Sequence, residues 1–395
     1  MIVPQSSTSP NTARLGRVFG LDFVRATAIV LVLAAHYGVL VPAWLGYPPK
    51  IPLPGLDVQG PAAALGVVGV ELFFVLSGFL IGRLLLDVVR LAPSFTNLRI
   101  FLVRRWMRTV PLYGAWLCIS LILFPPPDHP LRHFVSYLTF SQNLAWAMPA
   151  SGWFGVSWSL TAEEWFYLLF STCAVGLAMI RKGGAAMLIS LALVCIVPAV
   201  LRWNIPDTVS WDETVRKITI LKLDAIGYGV TLACLRNACP RLFAYPRFCV
   251  TIGAALAVMV WACFSTGTLI VPYHVFRTFS LSVADIGFAL CIIGASSWVQ
   301  SDGWFARVIR KISDISFGLY VVHLTILVAA GQWLTYGIIP VVTGAITVTV
   351  ALALLSWHCL ESPILRLRPR QTFATVAGYR ADGNLALGSL TTAAD

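Results

Sequence analysis

The stretch RATAIVLVLAAH, residues 25–36, places nine apolar residues and one threonine between an arginine and a histidine. It lies inside an apolar run, residues 22–42, that is long enough to cross a bilayer as a helix. In such a helix Arg25 and His36 would lie on one face, about three turns and ~16 Å apart. Ionisable groups inside a membrane span are costly and are usually functional. The pair therefore predicts that this face of the first helix lines a functional site.

The rest of the chain has the same membrane character. Of its 395 residues, 58% are hydrophobic and 11% are charged, whereas soluble domains carry about 25% charged residues. The sequence therefore predicts an all-α, polytopic membrane bundle with about ten transmembrane helices. The predicted spans are 22–42, 62–86, 109–124, 165–181, 185–201, 218–235, 248–265, 277–298, 314–334 and 338–357.

The net charge of +11 orients this bundle. With the N-terminus inside, 21 of the 28 basic residues fall in cytoplasmic segments, and the outer seven are Lys50, Arg132, Arg202, Arg216, Lys217, Lys222 and Arg277. This bias follows the positive-inside rule and places both termini in the cytoplasm. It also accounts for the basic charge, so no nucleic-acid partner is predicted. We expect a multi-pass protein of the cell (inner or plasma) membrane.

Three regions follow one another along the chain. Residues 1–18 are rich in Ser, Thr, Pro and Asn and are predicted to be a disordered cytoplasmic segment. Residues 19–363 are predicted to form the membrane domain, and residues 364–395 are predicted to form a basic, disordered cytoplasmic tail. The aromatic outer segment 125–164 is expected to dip into the bilayer or to cap a cavity. Neither zinc-ligand spacing nor a nucleotide loop is present, and no metal site is predicted.

The first two spans carry three candidate residues, each with a structural alternative. Taken alone, Arg25 reads as an anchor at the inner boundary and His36 as a hydrogen-bonded residue of the bundle. In GVELFFVLSGFLIGRLLL, residues 69–86, Ser77 is a candidate nucleophile without an adjacent base. The small pair Ser77-Gly78 equally predicts close helix packing.

A basic patch begins the third span, in RRWMRTVPLY at residues 104–113. Arg104 and Arg108 share a helix face because they are four residues apart. With Arg105 they predict either a positive-inside anchor or a clamp for an anionic cytoplasmic ligand, since arginine matches phosphate geometry.

Two further segments combine aromatic and titratable residues. WSLTAEEWFY, residues 158–167, lies at the outer end of the fourth span, where adjacent glutamates cannot both face one site. Its aromatics alone would form an ordinary interfacial belt. In KLDAIGYG, residues 222–229, a buried ion pair between Lys222 and Asp224 is the structural alternative, although residues two apart do not face each other on a helix.

Seen together, these segments resemble acyltransferase family 3, the multi-pass membrane O-acyltransferases. LDFVRATAIVLVLAAH is similar to the family's opening signature, in which ten residues separate an arginine from a histidine. GVELFFVLSGFLI, RRWMRTVPLY, WSLTAEEWFY, KLDAIGYG, ISFGLYVVH and ESP follow in the family's order. The resemblance runs from about residue 20 to 363, with Lys222 and Phe317 standing where the family commonly has Arg and Tyr.

The resemblance implies transfer of an acyl group, commonly acetyl, from cytoplasmic acyl-coenzyme A to a hydroxyl of a sugar or lipid-linked glycan. It makes Arg25 and His36 the expected catalytic pair, with His36 as general base and Glu163 as helper, and Arg25, Arg104, Arg105 and Arg108 the expected acyl-CoA contacts. Acyl-CoA is then a co-substrate, and no permanently bound cofactor is expected. Glycan-assembly proteins are possible partners beside the lipid bilayer. Further substrate-contacting or structural candidates are Ser77, Trp158, Tyr167, Asp224, Tyr320 and His323.

A proton-coupled transporter is the alternative from another class. Its relay would use His36, Glu163, Asp224 and His323, since intramembrane titratable groups often carry protons.

Overall fold

A computed structural model describes residues 17–47, 60–149, 152–181, 183–298 and 303–369. Within these ranges the chain is helical and contains no strand. The predicted leading segment up to residue 16 and the predicted tail from 370 onward lie outside the described residues. The helices are α1 Phe19–Trp44, α2 Pro61–Leu91, α3 Phe95–Leu123, α4 Pro130–Leu138, α5 Ser157–Ile180, α6 Gly183–Trp203, α7 Leu223–Ala238, α8 Pro246–Thr266, α9 Tyr273–Ser296, α10 Trp304–Ala330, α11 Ile338–Ser356 and α12 Ser362–Arg366.

The described helices confirm the all-α polytopic architecture. Nine of them are long and apolar enough to cross a membrane, namely all except α4, α7 and α12. A helix matches each of the ten predicted spans, but α7 has only 16 residues, which is short for a span of about 17 to 25. Part of α12 falls within the predicted tail, which was expected to be disordered from residue 364.

Helix α2 lies at the centre of the bundle, since 72% of its most apolar window is buried. Its contact with α7 depends on two glycines. A Cβ at Gly78 would lie 2.0 Å from the carbonyl oxygen of Ile226, and one at Gly229 would lie 2.1 Å from that of Val75. Gly78 therefore has the packing role expected of small residues in membrane helices, while the neighbouring Ser77 faces a cavity.

Two buried ion pairs tie α7 and the residue before it to other helices. Lys222 Nζ lies 2.5 Å from Glu71 Oε2. Arg202 makes a bidentate pair with Asp224, at 2.5 Å from Nη2 to Oδ2 and 2.9 Å from Nη1 to Oδ1. The ion pair considered between Lys222 and Asp224 is thus wrong, because residues two apart point in different directions and each finds its partner on another helix. Asp224 thus joins α7 to α6.

The long predicted outer segment folds over one end of the bundle. Its helix α4 has nine residues, too few to span a bilayer. The Asn143 side chain donates hydrogen bonds to the carbonyls of Trp158 at 3.1 Å and Lys217 at 2.6 Å. The Thr219 backbone N–H donates to the Asn143 carbonyl at 2.9 Å. The segment between α3 and α5 and the segment between α6 and α7 therefore form one layer at this end.

Candidate functional site

A cavity of about 550 Å³ lies among α1, α2, α3, α5 and α10 and also contacts the segment after α12. Its volume falls within the range of ligand pockets, about 300–1,000 Å³. The end predicted to face the cytoplasm is lined by charged side chains. The opposite end, deep in the bundle, is lined by hydroxyl, carboxyl and aromatic groups.

Arginine dominates the charged end of the cavity. Six arginines line the cavity against two carboxylates, Asp87 and Glu163, which leaves an excess of four positive charges. Such an excess in a partly enclosed space favours an anionic ligand. The six are Arg25, Arg83, Arg104, Arg105, Arg108 and Arg368.

Arg25 is held at the cavity wall by α10. Its Nη1 donates to Ser313 Oγ at 3.2 Å and lies 3.7 Å from Asp22 Oδ1. Ser313 donates in turn to Asp22 at 2.9 Å, and Arg17 pairs with both Asp22 and Asp314. This network fixes the Arg25 guanidinium between two helices, which a lipid anchor would not require.

The arginines of α3 have different surroundings. Arg105 and Arg108 line the cavity, and Arg105 lies over the Phe101 ring at 5.9 Å. Arg104 also lines it, but its Nη1 donates to the Pro369 carbonyl at 2.5 Å. Arg104 therefore holds the end of the described chain against α3.

Sequence reasoning missed Arg368. It follows α12, beyond the predicted membrane domain, and its Nε and Nη2 are buried with no hydrogen-bond partner among the described residues. Burial, followed by the charges of Arg108, Arg105 and Arg104, lowers the pKa of Arg368 to about 10. The basic run RLRPR at 366–370 was the available signal, but it reads equally well as a positive-inside anchor.

The deep end of the cavity contains a cluster of hydrogen-bonded side chains. Ser77 Oγ donates to Glu163 Oε1 at 2.6 Å and lies 2.8 Å from the Tyr167 hydroxyl. Tyr167 also donates to Glu163 Oε1. The adjacent Glu164 does not line the cavity, as expected for neighbouring residues on a helix. One carboxylate oxygen thus accepts from two hydroxyls.

Beyond this end, the two predicted histidines meet. His323 Nε2 lies 3.0 Å from His36 Nδ1, and His323 Nδ1 lies 2.9 Å from the carbonyls of both Leu319 and Tyr320. Carbonyls only accept, so His323 carries its proton on Nδ1 and presents a bare Nε2. His36 must then carry its proton on Nδ1, which also lies 3.0 Å from the Val32 carbonyl. The lone pair of His36 is therefore on Nε2.

Tyr320 connects the cavity to the histidine pair. It lines the cavity, whereas neither histidine does. Its ring centre lies 6.0 Å from that of His323. The Tyr320 hydroxyl donates to the Val156 carbonyl at 3.0 Å and lies 2.5 Å from Ser159 Oγ. The ring is thus fixed between the deep end of the cavity and the histidines.

In the layer formed by the α3–α5 and α6–α7 segments, a basic group lies over an aromatic side chain. The Arg216 guanidinium lies 4.7 Å from the centre of the Trp158 ring, and Asp212 pairs with Arg216 at 2.5 Å and with Lys217 at 2.6 Å. Burial alone would raise the pKa of Asp212, but Arg216 and Lys217 outweigh burial and lower that pKa below its usual range.

The structure brings most of the predicted site residues together. Eight of them line the cavity: Arg25, Ser77, Arg104, Arg105, Arg108, Glu163, Tyr167 and Tyr320. The other four, His36, His323, Trp158 and Asp224, lie outside its lining. The two histidines bond to each other, the Trp158 ring lies under Arg216, and Asp224 pairs with Arg202.

Comparison with known proteins gives one finding. A family model described as an acyltransferase domain, acyltransferase 3, matches residues 18–358. The match covers most of the chain and reaches from the start of α1 to the turn that follows α11. No curated protein and no solved structure matches the chain significantly.

Proposed function

The chain belongs to the acyltransferase 3 family and is a membrane acyltransferase; from that premise we propose its donor, acceptor and catalytic base. The donor is acyl-coenzyme A, with acetyl as the acyl group, bound at the cytoplasmic side of the plasma membrane. The acceptor is a hydroxyl of a sugar or lipid-linked glycan that reaches the site from the outer side. His36 is the general base.

The observation that carries this proposal is a single cavity with arginines at one end and polar groups at the other. Coenzyme A carries about four negative charges, since a phosphate monoester carries about two near pH 7 and its diphosphate adds about two. This matches the excess of four positive charges in the cavity lining. Arginine pairs with phosphate through two parallel hydrogen bonds. The pantetheine arm would extend from the arginines toward the polar groups at the opposite end of the cavity.

The chemistry follows from the tautomer of His36. The acceptor hydroxyl oxygen attacks the thioester carbonyl carbon, and the hydroxyl proton moves to His36 Nε2. The carbon–sulfur bond then breaks, and coenzyme A leaves as a thiolate that takes up a proton. A positioned histidine base contributes about 10²–10⁴-fold in rate. Because Tyr320 lines the cavity and neither histidine does, the acyl end of the donor must extend past this ring to reach Nε2.

The transporter alternative needs a connected relay, and the hydrogen bonds of the described residues do not join its four members. Glu163 bonds to Ser77 and Tyr167, whereas Asp224 is paired with Arg202 inside the bundle. The histidine pair bonds to neither carboxylate. This separation supports acyl transfer over proton-coupled transport.

The proposal is tested with labelled acetyl-CoA, purified protein in lipid vesicles and a crude envelope-glycan extract as acceptor. We expect the wild type to transfer label to glycan and His36→Ala to lose at least about 100-fold in rate. His274→Ala is the matched control, since His274 is exposed and does not line the cavity. Equal rates for wild type and His36→Ala would refute the base, and absence of transfer from folded wild type with several acyl donors would refute the donor and acceptor.

A further inference from the structure

We propose that Arg368 binds a phosphate group of the donor, so that the segment after α12 completes the donor site. The inference rests on the proposed function for the identity of the donor. It adds a binding residue that lies ten positions beyond the end of the family match at residue 358.

The segment that carries Arg368 is held against the cavity. After α11 the chain continues through a π-helical turn, Trp357–Glu361, and then α12. Both α12 and this turn pack on α3, and the hydrogen bond from Arg104 to the Pro369 carbonyl fixes the backbone immediately after Arg368. These contacts place the Arg368 side chain in the cavity wall.

The Arg368 guanidinium has hydrogen-bonding capacity that the described protein does not use. Two of its nitrogen atoms are buried and without a partner, and a buried donor without a partner costs about 1–3 kcal/mol or more when charged. Its charged neighbours in the cavity, Arg104, Arg105 and Arg108, repel it. An anion that enters between these like charges and accepts from Arg368 would relieve both the repulsion and the missing hydrogen bonds.

Coenzyme A carries anionic groups of this kind at two positions. The 3′-phosphate and the diphosphate of coenzyme A both offer oxygen pairs that match the planar guanidinium fork. The two sources are distinguished by dephospho-coenzyme A, which lacks the 3′-phosphate and keeps the diphosphate.

The test measures binding without acyl transfer. Purified protein in neutral detergent is titrated calorimetrically with coenzyme A and with dephospho-coenzyme A. Wild type, Arg368→Ala and Arg366→Ala are compared, and Arg366 is the matched control because it is exposed in the same segment. We expect Arg368→Ala to weaken coenzyme A binding about 10- to 100-fold, the usual effect of losing a charge-assisted hydrogen-bonded pair, and Arg366→Ala to leave it within about twofold.

The possible results distinguish the proposed role of Arg368 from the proposed identity of the donor. If Arg368 binds the 3′-phosphate, wild type and Arg368→Ala bind dephospho-coenzyme A equally; if it binds the diphosphate, the loss persists with both ligands. An unchanged affinity of folded Arg368→Ala for coenzyme A would overturn the inference and leave the proposed function standing. Failure of wild type to bind coenzyme A would overturn the donor itself.

A double-mutant cycle with Arg104 adds an independent check. Arg104 positions Arg368 through the Pro369 carbonyl, so Arg104→Ala and Arg368→Ala should be less than additive in their effect on the dissociation constant. Fully additive effects would contradict the positioning of Arg368 by Arg104.

Discussion

His323 Nε2 on α10 lies 3.0 Å from His36 Nδ1 on α1. Because two backbone carbonyls fix the proton of His323 on Nδ1, this contact determines which nitrogen of His36 is free to accept a proton. His323 is therefore a positioning residue for the proposed base, comparable to the carboxylate that orients the histidine of a catalytic triad.

Replacing His323 should slow the chemical step without weakening donor binding. We expect His323→Ala to lower kcat about 10- to 100-fold with KM for acetyl-CoA unchanged, because the His36 ring loses its orienting partner. The double variant with His36→Ala should be no slower than His36→Ala alone, since both act on one proton transfer. His323→Gln, whose carbonyl can accept from His36 Nδ1, should recover part of kcat. A rise in KM with kcat preserved would instead assign His323 a binding role.

Ser77 should not form an acyl intermediate. The Ser77 hydroxyl donates to Glu163, which already accepts from Tyr167, and this pattern matches a hydrogen-bonded wall of the cavity. We therefore expect Ser77→Ala to keep at least about a hundredth of the wild-type rate, since one hydrogen bond to a carboxylate contributes about 1.5–3 kcal/mol. Intact-protein mass spectrometry after incubation with acetyl-CoA should find no acetyl group on Ser77. An acetylated Ser77 that decays on adding acceptor would replace direct transfer with a two-step mechanism.

The helices could be predicted from the sequence because each span is a continuous apolar run. The pattern that places Arg25 and His36 on one helix face also follows from helix geometry alone. The partners of these residues could not be predicted, since Ser313 and His323 lie on a helix almost 300 positions later in the chain. Such contacts depend on how α1 and α10 pack, which neither periodicity nor composition specifies.

Replacing Asp285 and replacing Lys222 by uncharged residues should have different effects on the thermal stability of the protein. Asp285 is fully buried and lies beside Glu71, which pairs with Lys222. Asp285→Asn removes the second carboxyl group beside Glu71 and should leave Tm unchanged or raised. Lys222→Met leaves two carboxylates facing each other and should lower Tm by at least about 4 °C.

Thermal unfolding of both variants in the same detergent, followed by tryptophan fluorescence, provides this comparison. A larger fall in Tm for Asp285→Asn than for Lys222→Met would contradict the charge balance inferred for this cluster.

The layer formed by the α3–α5 and α6–α7 segments should lose stability in acid. The pKa of Asp212 in the folded protein is lowered by Arg216 and Lys217, despite burial, so its ion pairs stabilise the fold above the unfolded pKa of about 3.9. That contribution disappears as pH falls through the lower, folded-state pKa. The difference in Tm between wild type and Asp212→Asn should be present at pH 7 and should narrow below about pH 4.

Asp128→Asn is the control for this titration, since Asp128 is exposed in the same layer and exposed pairs contribute about 0–1 kcal/mol. A Tm difference for Asp212→Asn that stays constant or widens in acid would show that Asp212 does not act through its charge.

The missed residue, Arg368, shows a different limit of sequence reasoning. A basic residue after the last span has the same pattern whether it anchors the chain or lines a cavity, and only the return of the chain to α3, held by Arg104 and Pro369, distinguishes the two. Lys222 and Asp224 show a similar limit. Their proximity in sequence suggested an ion pair, but side chains two residues apart point in different directions.

The central claim is that the acyl group enters from the cytoplasmic side and reaches an acceptor on the other side. It is tested most directly in sealed vesicles in which the protein has a single orientation, established by protease digestion of its N-terminal segment. Membrane-impermeant labelled acetyl-CoA is supplied on one side, and crude envelope glycan is enclosed on the other. The account predicts label in the glycan only when the donor is on the side of the protein's N-terminus. Label that appears only in glycan sharing a compartment with the donor would contradict it.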